Sequence, residues 1–207
     1  MNTNDLKNLI DPVCETAVQA GKVIKKYYEL KKTVLFKEDK SPLTKADLES
    51  NQLIINSLLK INKNIPILTE ESFVDWSIRK NWKTYWLVDP LDGTKEFIKR
   101  NGEFTVNIAL IKKSRAVMGV VVAPALQLEY SGALGLGAWK RDVAGQIDPI
   151  SVTRVAQDPV RAVGSRSHSD PELAAYLNRI GPHEFKSMGS SLKICLVAEG
   201  KADIYPR

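Results

Sequence analysis

The order of apolar and polar residues divides the chain into helical and extended stretches. Between residues 6 and 28, Leu6, Leu9, Ile10, Val13, Ala17, Ala20, Ile24 and Tyr27 recur at steps of three and four, which is one apolar face of a helix. Pro12 either kinks this helix or marks its true start. A second helix is expected from about 46 to 61, with Leu48, Ile54, Ile55, Leu58 and Leu59 facing inward and Thr44 available as N-cap. The period then shortens. Residues 65–68 and 85–88 are short apolar runs, and 104–111, 116–123 and 126–131 read as the strands of an antiparallel meander. A turn-rich stretch at 132–149 precedes a strand at 161–163, helices at 171–180 and 190–199, and a strand at 202–205.

This succession predicts an α/β protein with layered helices and sheets. A soft boundary falls near 142–160, where composition turns polar, and separates residues 1–150 from a second α/β unit at 151–207. Because that unit stops on a strand with no closing helix, it is expected to be incomplete at its C-terminus.

Composition narrows the class. The chain has 207 residues, 43% hydrophobic and 26% charged, enough for a buried core. No run approaches the roughly 18 apolar residues of a membrane span, and the polar start has no signal-peptide character. The expected home is the cytoplasm, with peripheral contact to the inner membrane face left open. Cys14 and Cys195 lie far apart in apolar helical patterns and read as buried thiols. The net charge of +6 includes lysines at 22, 25, 26, 31, 32, 37 and 40. With no zinc-finger spacing, recognition helix or basic stretch interleaved with aromatics, this surface reads as a solvated lysine-rich helix face able to steer anions, in preference to a nucleic-acid patch.

The chemistry concentrates in Trp86-Leu87-Val88-Asp89-Pro90-Leu91-Asp92-Gly93-Thr94, a strand running into a turn and then a short helix. Asp89 is expected to end the strand, since Pro90 cannot donate to a ladder, and Asp92 follows three residues later. Two hard anions on one turn suit Mg²⁺, which takes oxygen ligands and shares them with substrate phosphate. Gly93 and Thr94 then open a helix whose free N–H groups favour an anion. Glu70 and Glu71 follow another apolar run and bring further carboxylate to the same sheet edge. Asp47 is ambiguous on spacing, because Thr44 to Asp47 also matches a capping box. Gly132 to Gly137 has the wrong order for a dinucleotide loop and reads as a hairpin, and no phosphate loop, nucleophile elbow or His-Glu-x-x-His site is present.

These residues resemble the inositol monophosphatase-like, lithium-sensitive phosphatases, and among them the bacterial 3′(2′),5′-bisphosphate nucleotidases. The likeness runs through 41–47, 68–71, 86–98, 101–109, Ser165-Arg166-Ser167-His168 and Gly189-Ser190-Ser191-Leu192-Lys193. Lys95-Glu96-Phe97 leans toward the nucleotidase branch. The resemblance implies layers of alternating helix and sheet and two or three Mg²⁺ ions. It implies that Glu70, Asp89 and the Leu91 carbonyl hold the first ion, and Asp89 and Asp92 the second. It further implies that Thr94, hydrogen-bonded to Asp47, positions the attacking water, while the Gly93 and Thr94 amides hold phosphate. His168, Ser190, Lys193 and Arg207 match positions that contact nucleotide. By the residues alone, His168 is a loop histidine, Ser190 a helix N-cap and Lys193 either a phosphate clamp or a solvated lysine.

The implied reaction is Mg²⁺-dependent hydrolysis of the 3′-phosphate of adenosine 3′,5′-bisphosphate to AMP and phosphate, in sulfur assimilation. The family carries a further Asp, in a Trp-Asp-x-Ala motif, beyond the last residue here, so the chain as given is expected to be weak or inactive. Two rival readings stand beside this one: an inositol-phosphate phosphatase, and a nucleotide-binding module lacking that last Asp.

Overall fold

The structure, a computed structural model, describes residues 2–30, 42–166 and 171–206, and the side chains of all of these except 42–44 and 171. Thr44 lies inside a helix that starts at Pro42 and so is no N-cap; the expected contributions of His168 and Arg207 lie outside the described residues.

Helix α1 spans Thr3–Tyr28 and begins with a reciprocal cap in which Asn2 and Asp5 each accept the other's backbone N–H. Pro12 lies inside it and starts nothing. Its carbonyl accepts the Thr16 hydroxyl at 2.8 Å. Leu6, Ile10, Val13, Ala17, Ala20 and Ile24 are buried, the face that the spacing predicts. Helix α2, Pro42–Ile61, turns differently from expectation. Ile54 and Leu58 are buried, but Leu48 and Leu59 are 40% and 44% exposed. The inward row is Ala46, Ser50, Asn51, Ile54 and Leu58, small and polar toward its start. The reason is what it packs on: Ser50 Oγ donates to the carbonyl of Pro90 at 3.3 Å, so this end of α2 seats on polar backbone.

Both helices cover one face of a seven-stranded sheet in sequence order: β1 Ile67–Thr69, β2 Thr84–Asp92, β3 Thr105–Lys112, β4 Arg115–Ala123, β5 Leu128–Ala133, β6 Gly137–Arg141 and β7 Ile147–Pro149. Only β1 and β2 run parallel; the other neighbours are antiparallel, as the meander predicts for β3 to β5. Alternation sets the two faces. Trp86, Val88, Val106, Ile108, Leu110, Met118, Val120 and Val122 enter the core beneath the helices. Leu87, Asp89, Asn107, Ala109, Gly119 and Val121 line the opposite face.

Strands β6 and β7 are absent from the sequence reading because their residues are intermediate or exposed, which leaves no apolar alternation to detect. The loop between β5 and β6 is the hairpin expected at 132–137. Helices α3, Trp76–Arg79, and α4, Thr94–Lys99, follow β1 and β2.

A second sheet pairs β8, Val160–Ser165, in parallel with β9, His183–Met188, across helix α5, Pro171–Ile180; helix α6 is Leu192–Ala198. β9 also escaped the sequence pattern, since Glu184, Phe185 and Lys186 are exposed. The strand expected at 202–205 is a single bridge from Ile204 to Ala162. Asp203 explains why pairing goes no further. Its carboxylate turns inward, with a side chain 1% exposed. It accepts from Arg161 Nε at 3.1 Å, Arg161 Nη2 at 2.8 Å, the Arg161 amide at 2.9 Å and Thr153 Oγ1 at 2.8 Å.

Arg161 and these other donors hold the Asp203 carboxyl well below its ordinary range. A depressed carboxylate adds stability above its unfolded pKa and loses it as pH falls toward the folded value. Asp203→Asn is expected to melt several degrees below the parent at pH 7, with the gap closing toward pH 2, by thermal denaturation monitored with circular dichroism.

Candidate active site

Asp89 and Asp92 share a face only because β2 is irregular. In a regular strand, residues three apart point to opposite faces. Here Asp89 pairs with Asn107 and Asp92 with Thr105, so three steps on β2 match two on β3. The extra residue is a bulge, and it returns Asp92 to the side of Asp89. Pro90 does not end the strand, contrary to the sequence expectation, because a bulge is one of the few places where a missing N–H goes unmissed. Leu91 seals the bulge from below, buried in the core, and its N–H donates to Asp89 Oδ1 at 3.1 Å.

Gly93 follows at φ 95°, as N-cap of α4. A Cβ there would stand 3.1 Å from the Glu103 carbonyl oxygen and 3.2 Å from Ser190 Cβ. Both the left-handed backbone and the close approach of the second unit therefore call for glycine. Thr94 is exposed at the start of α4.

The acids crowd one another. Burial, then Asp92 and Glu70, push the Asp89 carboxyl up to about 7. Asp47, on α2, is also pushed up to about 7, by burial and then by Glu71, Asp89 and Glu70. Its Oδ1 is buried with no partner. The Thr94–Asp47 hydrogen bond implied by the resemblance is not among the bonds of the described residues. Those residues also contain no ready-made cage of three acidic, histidine or cysteine ligands. Part of the reason is visible at Asp92, whose Oδ2 is engaged by the Ser191 N–H at 2.6 Å and by Asn107 Nδ2 at 3.4 Å. The donor set nevertheless fits a divalent cation: the charges acting most strongly on Asp47 and Asp89 are all negative, and one buried carboxylate oxygen has no partner.

Two clefts flank the acids. One, of about 630 Å³, is lined by Glu70, Asp89 and Asn107 and by the apolar open face of the sheet. The other, of about 620 Å³, is lined by Asp92, Gly93, Thr94, Glu96, Ser190, Lys193 and Tyr205. In the second, Ser190 is no N-cap: its φ is 47°, and α6 begins after Ser191. Lys193 is no solvated lysine either, being 9% exposed. Its Nζ donates to the Ser190 carbonyl at 2.6 Å and lies 5.6 Å from the centre of the Tyr205 ring.

The scan against family descriptions matches residues 5–207 to the inositol monophosphatase family. The chain belongs to this family. It is 49% identical over 201 residues to the 3′(2′),5′-bisphosphate nucleotidase CysQ of Escherichia coli K12, covering 96% of this chain and 80% of that one. The CysQ nucleotidase of Buchnera aphidicola is 45% identical over 206 residues, 99% of this chain and 77% of its own. Among solved structures, CysQ from Bacteroides thetaiotaomicron superposes with TM-score 0.88 at 41% identity, over all of this chain and 81% of that one. Mycobacterium tuberculosis SuhB superposes at 0.74 and 25% identity, over 97% and 77%. These likenesses accord with the layered α/β fold and the phosphatase family that the motifs predict.

Residues that the motif reading left without a role complete the site. Glu103 takes Arg166 in a two-pronged pair, at 3.0 and 2.7 Å, and also accepts the Gly189 N–H at 2.7 Å. Ser191 binds Asp92 by its N–H and Asn107 by its hydroxyl. Asn107 carried one signal in sequence, as a polar residue inside the apolar run 104–111. Cys14 and Cys195 have no part in the site; burial pushes both thiols up to about 12.

A carboxyl that keeps its proton to higher pH in the folded chain binds more protons than the unfolded one between the two pKa values, so stability falls as pH rises through that window. The metal-free protein is expected to lose melting temperature from pH 5 to pH 8, and Asp89→Asn to flatten that slope. Scanning calorimetry in EDTA reads both.

Proposed function

We propose that this chain hydrolyses the 3′-phosphate of adenosine 3′,5′-bisphosphate to AMP and phosphate. The observation that carries the reading is the group formed by Asp47, Glu70, Asp89 and Asp92. These acids are held beside a glycine-opened helix start, with no cation among the charges that act most on Asp47 and Asp89. The relatives named as bisphosphate nucleotidases support the choice of substrate.

In this reading, Glu70, Asp89 and Asp92, with the Leu91 carbonyl, hold two or three Mg²⁺ ions. When bound, these ions supply positive charge for the phosphoryl oxygens and make water more acidic. The rest falls to the chain. Asp47 and Thr94 orient the attacking water and take up its proton. The Gly93 and Thr94 amides hold the phosphate. Water adds to phosphorus as the bond to the 3′-oxygen breaks, and that oxygen leaves as the alcohol after regaining, through solvent, the proton that Asp47 took from the water. Ser190 and Lys193 line the cleft where the nucleoside and its 5′-phosphate lie, and the family resemblance assigns His168 and Arg207 to the nucleotide as well. The metal and phosphate part is residues 1–150, and the nucleotide part 151–207.

No helix among the described residues is long and apolar enough to cross a membrane. We place the protein in the cytoplasm, acting on a small-molecule nucleotide and not on nucleic acid.

Phosphate release is expected from adenosine 3′,5′-bisphosphate in Mg²⁺, to fall at least about 10³-fold in Asp89→Asn, and to exceed that from inositol 1-phosphate. A malachite-green assay distinguishes the outcomes. Preference for inositol 1-phosphate would reverse the substrate assignment, and nucleotide binding without phosphate release would leave a binding module.

A further inference from the structure

Asn107 lies directly across the ladder from Asp89, on the strand face that the bulge shares with Asp92. Its Nδ2 donates to Asp92 Oδ2 at 3.4 Å, and from its place opposite Asp89 the amide acts against the burial and like charges that push the Asp89 carboxyl up. An amide carries two N–H donors on nitrogen and only acceptors on oxygen. The oxygen cannot face two carboxylates without placing acceptor against acceptor, so the nitrogen faces them, with one hydrogen on Asp92 and the other on the Asp89 side.

A chain of hydroxyls fixes that orientation. Ser191 Oγ donates to Asn107 Oδ1 at 2.8 Å. Having spent its one hydrogen there, Ser191 Oγ accepts from Thr105 Oγ1 at 2.9 Å. Thr105 is fully buried, so this end of the chain has no water to turn toward. The Ser191 N–H, independently of its hydroxyl, holds Asp92 at 2.6 Å. Asp89, Asp92, Asn107 and Thr105 come from the large sheet, whereas Ser191 comes from the turn after β9. The pair of acids is therefore aimed by a residue of the second unit.

We propose that Asn107, locked by the Ser191 hydroxyl, is the positioning residue that keeps Asp89 and Asp92 as a convergent pair for the cation site. The inference rests on the metal reading given under Proposed function. Without the amide, Asp92 keeps only the Ser191 N–H and Asp89 only the Leu91 N–H, and the repulsion between the two carboxylates is less well offset. Partners that orient metal-binding groups typically change metal affinity by about 10–100-fold when removed.

The test is direct binding of Mn²⁺, measured by the loss of free-ion electron paramagnetic resonance signal, in the full chain with no substrate present. Asn107→Ala is expected to weaken Mn²⁺ binding by about 10–100-fold. Ser191→Ala, which keeps the N–H to Asp92, is expected to weaken it less. The double variant is expected to match Asn107→Ala alone, because Ser191 acts through the amide. A purely structural role would lower melting temperature without this non-additive loss of affinity. Should Asn107→Ala fail to fold, Ser191→Ala remains the milder probe and must still weaken Mn²⁺ binding. Parental affinity in Asn107→Ala, parental affinity in Ser191→Ala, or simple addition of the two losses overturns the proposal. Failure of the parent itself to bind Mn²⁺ overturns instead the metal reading beneath it.

Discussion

One extra residue in β2 governs the site. A strand that paired regularly through Val88, Asp89, Pro90 and Leu91 would send Asp92 to the helix-covered face, into a core of Trp86, Val88 and Ile108. Burying a lone carboxylate there costs several kcal/mol, more than any local hydrogen bond returns. The bulge keeps Leu91 in the core, Pro90 where no N–H is wanted, and both acids on the open face. The left-handed turn at Gly93, the start of α4 and the seating of α2 on the Pro90 carbonyl all follow from that local geometry.

Bringing like charges together has a cost, and the surroundings show how it is met. Asp92 is neutralised in part by an N–H from the turn before α6, and Asp89 by the N–H of Leu91 and the amide of Asn107. Glu103 performs a related task one turn away. Its carboxylate ties Arg166 of the segment after β8 and Gly189 of the segment after β9 to the loop before β3. At Gly189 a Cβ would clash with Glu96 Cγ and stand 2.8 Å from the Glu103 carbonyl oxygen, so the two parts of the chain close to backbone contact there. The site lies on this seam, which is why groups from both sheets reach it.

Periodicity is legible where a face is buried and silent where it is not. Helix α1, the meander and α5 were readable because packing enforces their spacing. The edge strands β6 and β7, and β9 with its exposed Glu184, Phe185 and Lys186, have no such enforcement; pairing partners create them. The inward face of α2 was misassigned for a related reason. Leucine content marked Leu48 and Leu59, but the surface beneath the first turns is backbone and carboxylate, which selects Ala46, Ser50 and Asn51. At the site, Asp89, Asp92 and Gly93 were legible because a turn motif compresses them into five residues. Asn107, Ser191 and Glu103 were not, because their partners lie 15 to 99 residues away.

Lys193 shows how far burial changes the meaning of one residue. A lysine three positions after a serine on a helix is ordinarily solvated, with its ammonium in water. At 9% exposure that option is closed. The ammonium is turned onto the Ser190 carbonyl and the Tyr205 ring, so Lys193 is a fixed part of the wall of the cleft that also holds Asp92, Gly93 and Thr94. The same short segment supplies the Ser191 N–H that holds Asp92, so one turn of chain from Gly189 to Lys193 both fixes an acid of the large sheet and walls the cleft in front of Gly93.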